Sequence, residues 1–196
     1  DGKIESGQAF VIDAAGAGSI TFHETDKLPL NSSLVGITSG MGARPTDVSK
    51  IGVFRSDMYV KSGTKYTLTD AVVNIFDASF ENKVDAADAK KIITFNTKES
   101  FSIYRDSAKL AIEKRNELIT NDTIFFALSK MNELPYQIRF TAGNFNPAAE
   151  AYLEDKYINL KTPLSTSGVS TYDFNITADP LSKAEDRFKV VLKSGL

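Results

Sequence analysis

The segment 101–145, FSIYRDSAKLAIEKRNELITNDTIFFALSKMNELPYQIRFTAGNF, carries four strand patterns in one continuous run. Phe101 and Ile103 share a parity, as do Leu110 and Ile112, then Ile124, Phe126 and Leu128, then Tyr136, Ile138 and Phe140. A period of two with one apolar side is the pattern of a strand with one buried face. Polar turn signals separate the sets: Arg105-Asp106-Ser107, residues 116–122, and Asn132-Glu133-Leu134-Pro135. Short strands joined by polar turns predict an antiparallel sandwich.

The same pattern extends outward. Downstream, Tyr172, Phe174 and Ile176 alternate with polar residues, as do Phe188, Val190 and Leu192, with a polar turn at 180–186 between them. Residues 147–157 have a mixed pattern, fitting a helical turn or a strand leading to Ile158 and Leu160. Upstream, 66–76 is a longer strand pattern whose apolar parity slips from Tyr66 and Leu68 to Val73 and Ile75, which predicts a bulge or corner. Ile51-Gly52-Val53-Phe54 and Met58-Tyr59-Val60 read as strands among loops. Gly7 to Ile12 and Ser19 to Phe22, around Gly16 and Gly18, read as a hairpin. Residues 77–91 hold the one helical piece, a short helix with Asp85 as N-cap and Asp88 in the first turn. The expectation is all-β: one antiparallel β-sandwich spanning 1–196, jelly-roll-like or immunoglobulin-like, with one short helix. Its inner face would include Tyr136, Ile138, Phe140, Tyr172, Phe174, Ile176, Phe188, Val190 and Leu192.

Composition excludes several functions. The formal net charge of −2, with 24% charged residues, argues against a nucleic-acid or polyanion partner. Without cysteine there are no disulfides and no thiolate metal sites. No apolar run approaches the length of a membrane-spanning helix. The start, Asp1-Gly2-Lys3-Ile4, suggests a piece of a longer protein.

Several segments in succession resemble large secreted proteins of Bacteroidetes. Gly7-Gln8-Ala9-Phe10-Val11 with Gly18-Ser19-Ile20-Thr21-Phe22 is similar to their N-terminal hairpin. Asp85-Ala86-Ala87-Asp88-Ala89-Lys90-Lys91 resembles their acidic turn, and Ser102-Ile103-Tyr104-Arg105 with Leu110-Ala111-Ile112-Glu113 a strand pair. Tyr152-Leu153-Glu154-Asp155, Thr162-Pro163-Leu164 and Asp186-Arg187-Phe188-Lys189-Val190-Val191 resemble the closing segments. In that family such a β-rich region stands upstream of the sorting domain read by the type IX secretion system. The resemblance implies an extracellular or cell-surface location and brings no catalytic residue.

Catalytic motifs are sparse. A Ser-His-Asp site would have to use His23, the only histidine, which sits in a loop-like context. Residues 36–42 lack the Lys-Ser/Thr of a phosphate loop. The reading is therefore a non-catalytic adhesive or spacer module. A carbohydrate-binding module is the first alternative, an accessory domain of a secreted hydrolase the second. The expected state is a monomer, with polysaccharide or another surface protein as partner.

Three candidate sites follow. Tyr104, outward on its strand pattern, is the candidate ligand-binding ring. Asp106-Ser107-Ala108 and Asp122-Thr123-Ile124 match the Asp-Ser/Thr-aliphatic pattern that Bacteroidetes O-glycosylate, making Ser107 and Thr123 acceptor candidates. Asp77, Asn82, Asp85 and Asp88 offer four side-chain oxygens to a hard cation, with calcium as the cofactor that would fit, although the spacing is not that of an EF-hand. Capping of the following turn is the competing role for Asp85 and Asp88.

Overall fold

The computed structural model describes residues 16–19, 21, 23, 51–92 and 99–195. The chain divides into two compact units, Asp1–Thr46 and Asp47–Leu196. The expected hairpin over 7–22 lies outside the described residues, apart from Gly16, Ala17, Gly18, Ser19 and Thr21. These five and His23 are exposed.

The second unit is built from β1 (Gly52–Ser62), β2 (Lys65–Phe76), β3 (Ala89–Lys90), β4 (Ser100–Arg105), β5 (Ala108–Arg115), β6 (Asp122–Ser129), β7 (Pro135–Gly143), β8 (Glu150–Asp155), β9 (Leu160–Leu164), β10 (Val169–Asn175) and β11 (Phe188–Lys193). All belong to one sheet of order β10-β7-β1-β2-β5-β4-β6-β11-β8-β9, with β3 paired to β5. The two apolar pieces 51–54 and 58–60 prove to belong to a single strand, β1, which starts at Gly52. Neighbours are antiparallel except β2 and β5, which run parallel where Val73–Phe76 meets Ile112–Arg115. The mixed sheet is nearly closed into a barrel-like shape.

Closure comes from the chain path. β9 and β10 stand at opposite ends of the sheet order but are consecutive in sequence, separated only by residues 165–168. One extended run thus pairs with β8 before its bend and with β7 after it. Ser165 N–H donates to Ser170 Oγ at 2.8 Å, and Ala142 N–H donates to the Gly168 carbonyl at 2.9 Å, pinning the bend from both sides.

Two bulges set which side chains face inward. In β2, Met58 pairs with Asp70 and Tyr59 with Leu68, so Thr69 is the extra residue, and its hydroxyl donates to the Met58 carbonyl at 3.0 Å. This is the slip of parity expected in 66–76. The inner positions are Val72, Asn74 and Phe76, however, while Tyr66 and Leu68 are exposed and Val73 and Ile75 half-buried. In β5, Lys90 pairs with Leu110 and the adjacent Ala89 with Ile112, which makes Ala111 the extra residue. Leu110 is therefore buried and Ile112 exposed, separating two residues whose parity is shared; Glu113 and Arg115 turn inward instead.

The expected helix at 85–91 is absent. The Asp85 carboxylate accepts from Ala87 N–H at 2.7 Å and that of Asp88 from Asp85 N–H at 2.9 Å, which is the start of a capped turn. Ala89 and Lys90 then pair with β5, so the backbone bonds a helix would need go to the sheet. The one helical element after β2 among the described residues is the short 3-10 helix Pro180–Lys183, capped by the Asp179 carboxylate on Leu181 N–H at 2.9 Å.

All nine expected inner-face residues of β7, β10 and β11 and the turn after β10 are buried. Phe54, Phe126 and Phe140 meet in the middle, with Phe126 and Phe140 ring centroids 6.4 Å apart. At the closing end, Phe188 lies edge-on to both Tyr172 and Phe174, at 6.0 and 4.9 Å. Here Asp155 and Arg187 are buried together. Arg187 Nε and Nη2 donate to the two carboxylate oxygens at 2.9 and 2.8 Å, and the Tyr172 hydroxyl donates to Oδ2 at 2.8 Å. Arg187 Nη1 donates to the carbonyls of Asn175 and Ser182 at 3.0 and 2.6 Å. Removing one partner of such a pair leaves a bare buried charge. Asp155→Ala should cost about 3–5 kcal/mol in urea unfolding, and Tyr172→Phe, which removes one hydrogen bond, about 1–2 kcal/mol; equal losses would show that the ion pair is not the stronger tie.

Candidate functional site

Tyr104 lies near the end of β4, after four successive buried residues, Ser100 to Ile103. Ile103 points in and Tyr104 out, with 44% of its surface exposed. Its partner across the ladder is Phe125 of β6, 49% exposed. Phe125 is out for the same reason: Ile124 and Phe126 take the inner face.

The open state of these two rings is unusual within the molecule. Of the seven tyrosines, Tyr136 and Tyr172 are buried in the core. Four others carry a cation over the ring: Arg139 on Tyr59 at 5.0 Å, Lys61 on Tyr66 at 5.7 Å, Lys161 on Tyr152 at 4.6 Å and Arg187 on Tyr157 at 4.8 Å. Tyr104 has neither burial nor a cation. Among the described phenylalanines Phe125 is the exposed one.

The register continues the row on either side. Lys109 of β5 is opposite Tyr104, Lys189 of β11 is opposite Phe125, and Glu154 of β8 is opposite Lys189. Directly opposed residues project from the same face, so Lys109, Tyr104, Phe125, Lys189 and Glu154 form one outer row. Lys109 Nζ pairs with Glu185 at 2.5 Å and Lys189 Nζ with Glu154 at 2.8 Å. Sequence reading identified Tyr104 and missed Phe125. The signal was available in the parity of 124–128, whose outer member next to two core positions is a phenylalanine.

The acidic segment packs beside the β4–β5 hairpin. Arg105 Nε donates to the Asn82 carbonyl at 2.9 Å, and Val84 N–H donates to the Asp106 carboxylate at 3.4 Å. Each proposed cation ligand has a partner within the protein. Asp77 accepts from Ser79 N–H and Oγ, at 2.9 and 2.5 Å, which holds its carboxyl below the usual range. Asn82 Oδ1 accepts from Asn116 N–H at 3.3 Å, and Asp85 from Ala87 N–H. Asp88 bridges Asp85 N–H and, at 2.7 Å, Lys114 N–H of β5. No three acidic or histidine side chains among the described residues converge as metal ligands do.

Ser107 is exposed at the tip of the hairpin, where Asp106 and Ser107 both adopt positive φ, 48° and 65°. That is the two-residue turn whose twist suits a hairpin. Thr123 is half-buried on the outer side of β6.

Under the acidic segment lies a charged cluster inside the sheet. The β5 bulge brings Glu113 in beside Asn74, whose Nδ2 donates to Glu113 Oε2 at 2.5 Å. Glu113 Oε1 is 3.0 Å from Arg115 Nε, and Arg115 Nη1 is 3.0 Å from Asp122. These are ion pairs without hydrogen-bond alignment, so Arg115 Nε and Nη1 and Glu113 Oε1 have no directed partner, while Arg115 Nη2 donates to the Thr123 carbonyl at 3.2 Å. Burial pushes the Glu113 carboxyl up to about 7, against the pull of Arg105 and with help from Asp88 and Asp122. Asp122 is shifted upward too, chiefly by burial.

Comparison with protein-family models, curated proteins and solved structures gave no match.

Two outcomes are expected. Glu113 binds its proton more tightly when folded than at its ordinary value of 4.5. The stability this group contributes is therefore full below that value and is lost as pH rises to about 7. The fall attributable to Glu113 is up to about 3 kcal/mol; urea unfolding at several pH values should show it in the wild type and a shallower one in Glu113→Gln. Melting curves with millimolar calcium and with chelator should coincide, because the four oxygens already serve turns; a rise of several degrees would show a cation site.

Proposed function

We propose that this chain is a non-catalytic module of an exported surface or secreted protein, with an adhesive role carried by the outer face at Tyr104 and Phe125. The supporting observation is the exposed, uncapped aromatic pair on a sheet whose interior is filled by side chains. Apolar ring surface left in water on a regular sheet is surface available to a partner. A sandwich description belongs to the same proposal, with the two halves of the curled sheet meeting through Phe126 and Phe140.

The first and last strands of the second unit favour display over an in-line spacer. Gly52, at the start of β1, packs against Phe145, and Gly195, after β11, lies against Ala148. Entry and exit of the second unit thus meet the same connection, residues 144–149. Gly195 has φ of 72° and no room for a Cβ beside Ala148. A spacer carrying load along a stalk is better served by ends far apart. Among the described residues no helix is long and apolar enough to cross a membrane.

Beads coated with the full chain should be retained on surfaces bearing polysaccharide or glycoprotein. The double variant Tyr104→Ala/Phe125→Ala should lose at least about tenfold of that retention with an unchanged melting temperature. Equal retention of both proteins, or none of the wild type, would remove the adhesive reading.

A further inference from the structure

We propose that the Tyr104–Phe125 face binds a neutral polysaccharide lying across the strands, with successive sugar rings over successive strands. This rests on the adhesive reading of the same face and names its ligand class. The first argument is spacing. Adjacent strands are about 4.8 Å apart, so the row Lys109, Tyr104, Phe125, Lys189 spans about 14 Å over four strands. One strand interval is close to the length of one pyranose unit in an extended glycan. Two neighbouring rings at this interval can each take the C–H face of one sugar.

The second argument is the chemistry of the flanks. Each side of the aromatic pair ends in an ion pair, Lys109–Glu185 at 2.5 Å and Lys189–Glu154 at 2.8 Å. An ammonium offers three donors and a carboxylate about four lone pairs, so each pair keeps both kinds of group free for hydroxyls. Sugar hydroxyls donate and accept, and a flank with both functions suits them. Because each lysine already has its counter-ion, the row presents no excess positive charge to a uronate- or sulfate-bearing chain. Lys161, at 3.5 Å from Glu154, sits over Tyr152 at 4.6 Å and leaves that ring closed. The sugar-facing surface therefore ends at Glu154.

The third argument is shape. A groove of about 400 Å³ elsewhere in the second unit, lined by Lys61, Pro135, Tyr136 and Asp173, holds the Lys61–Asp173 ion pair at 2.8 Å. The Tyr104–Phe125 row lies instead on the outer face of the sheet, bounded on one side by the buried pair Ser102 and Ala127, so the exposed strip runs across the strands and suits a polymer better than a small molecule.

The test is affinity electrophoresis of the full chain through gels containing glucan, mannan or xylan, beside gels containing alginate. At least one neutral polymer should retard the wild type, and Tyr104→Ala and Phe125→Ala should each weaken that retardation by at least about tenfold without lowering the melting temperature. Alginate should retard neither protein. Absence of retardation by every neutral polymer, equal retardation of the ring variants, or preference for alginate would each overturn the proposal. Bead retention on protein-coated surfaces that is lost in the double ring variant, with no polysaccharide binding, would overturn the ligand class and leave the adhesive reading in place. Retention indifferent to the rings would overturn both.

Discussion

The closing end of the sheet is tied together by the buried pair Arg187 and Asp155. Two charges taken out of water cost several kcal/mol each unless every donor and lone pair is matched. Here they are: both carboxylate oxygens, the Tyr172 hydroxyl, Tyr157 N–H and two backbone carbonyls complete the arrangement. The groups come from β8, β10, the residue just before β11, the turn after β8 and the 3-10 helix. β8 and β11 are ladder partners, with Phe188 opposite Asp155, whereas β10 pairs with β7 and is tied to them here by the guanidinium and the Tyr172 hydroxyl. Burial and the adjacent carboxylate push the Tyr172 hydroxyl above its ordinary range, which keeps it protonated and donating.

The cluster around Glu113 is the contrasting case. The same kinds of group are present, but two arginine nitrogens and a carboxylate oxygen lack aligned partners. The cause is local: the extra residue Ala111 rotates β5 so that Glu113 and Arg115 occupy positions that an unbroken alternation would have given to the solvent side. Stability linked to protonation is a consequence of that one insertion. The bulge also sets the surface, since it moves Ile112 outward and lets the acidic segment dock through Asp88 on Lys114.

The outer surface is ordered by pairing. Most aromatic rings that leave the core are covered by a lysine or arginine, and most exposed carboxylates face an ammonium or a backbone amide. Tyr104 and Phe125 escape both forms of cover because their ladder partners, Lys109 and Lys189, turn to Glu185 and Glu154. An exposed aromatic pair thus arises here without a cleft, from a row in which charges are satisfied sideways and rings are left upward.

Much of this was legible in the linear pattern. Alternation located β4, β6, β7, β10 and β11 and named their buried residues, because a strand against one core has a period of two whatever lies beside it. The outward position of Tyr104 followed from the same rule. The parity slip in 66–76 located a bulge but not which side was inside, since both parities there are apolar. The helix at 85–91 was misread because capping residues start a turn equally well when sheet pairing ends it. The order of the strands, the parallel contact of β2 with β5, the β5 bulge and the Arg187 clasp were settled only in three dimensions. Each depends on which distant strand supplies the partner, and alternation records the face of a strand but not its neighbour.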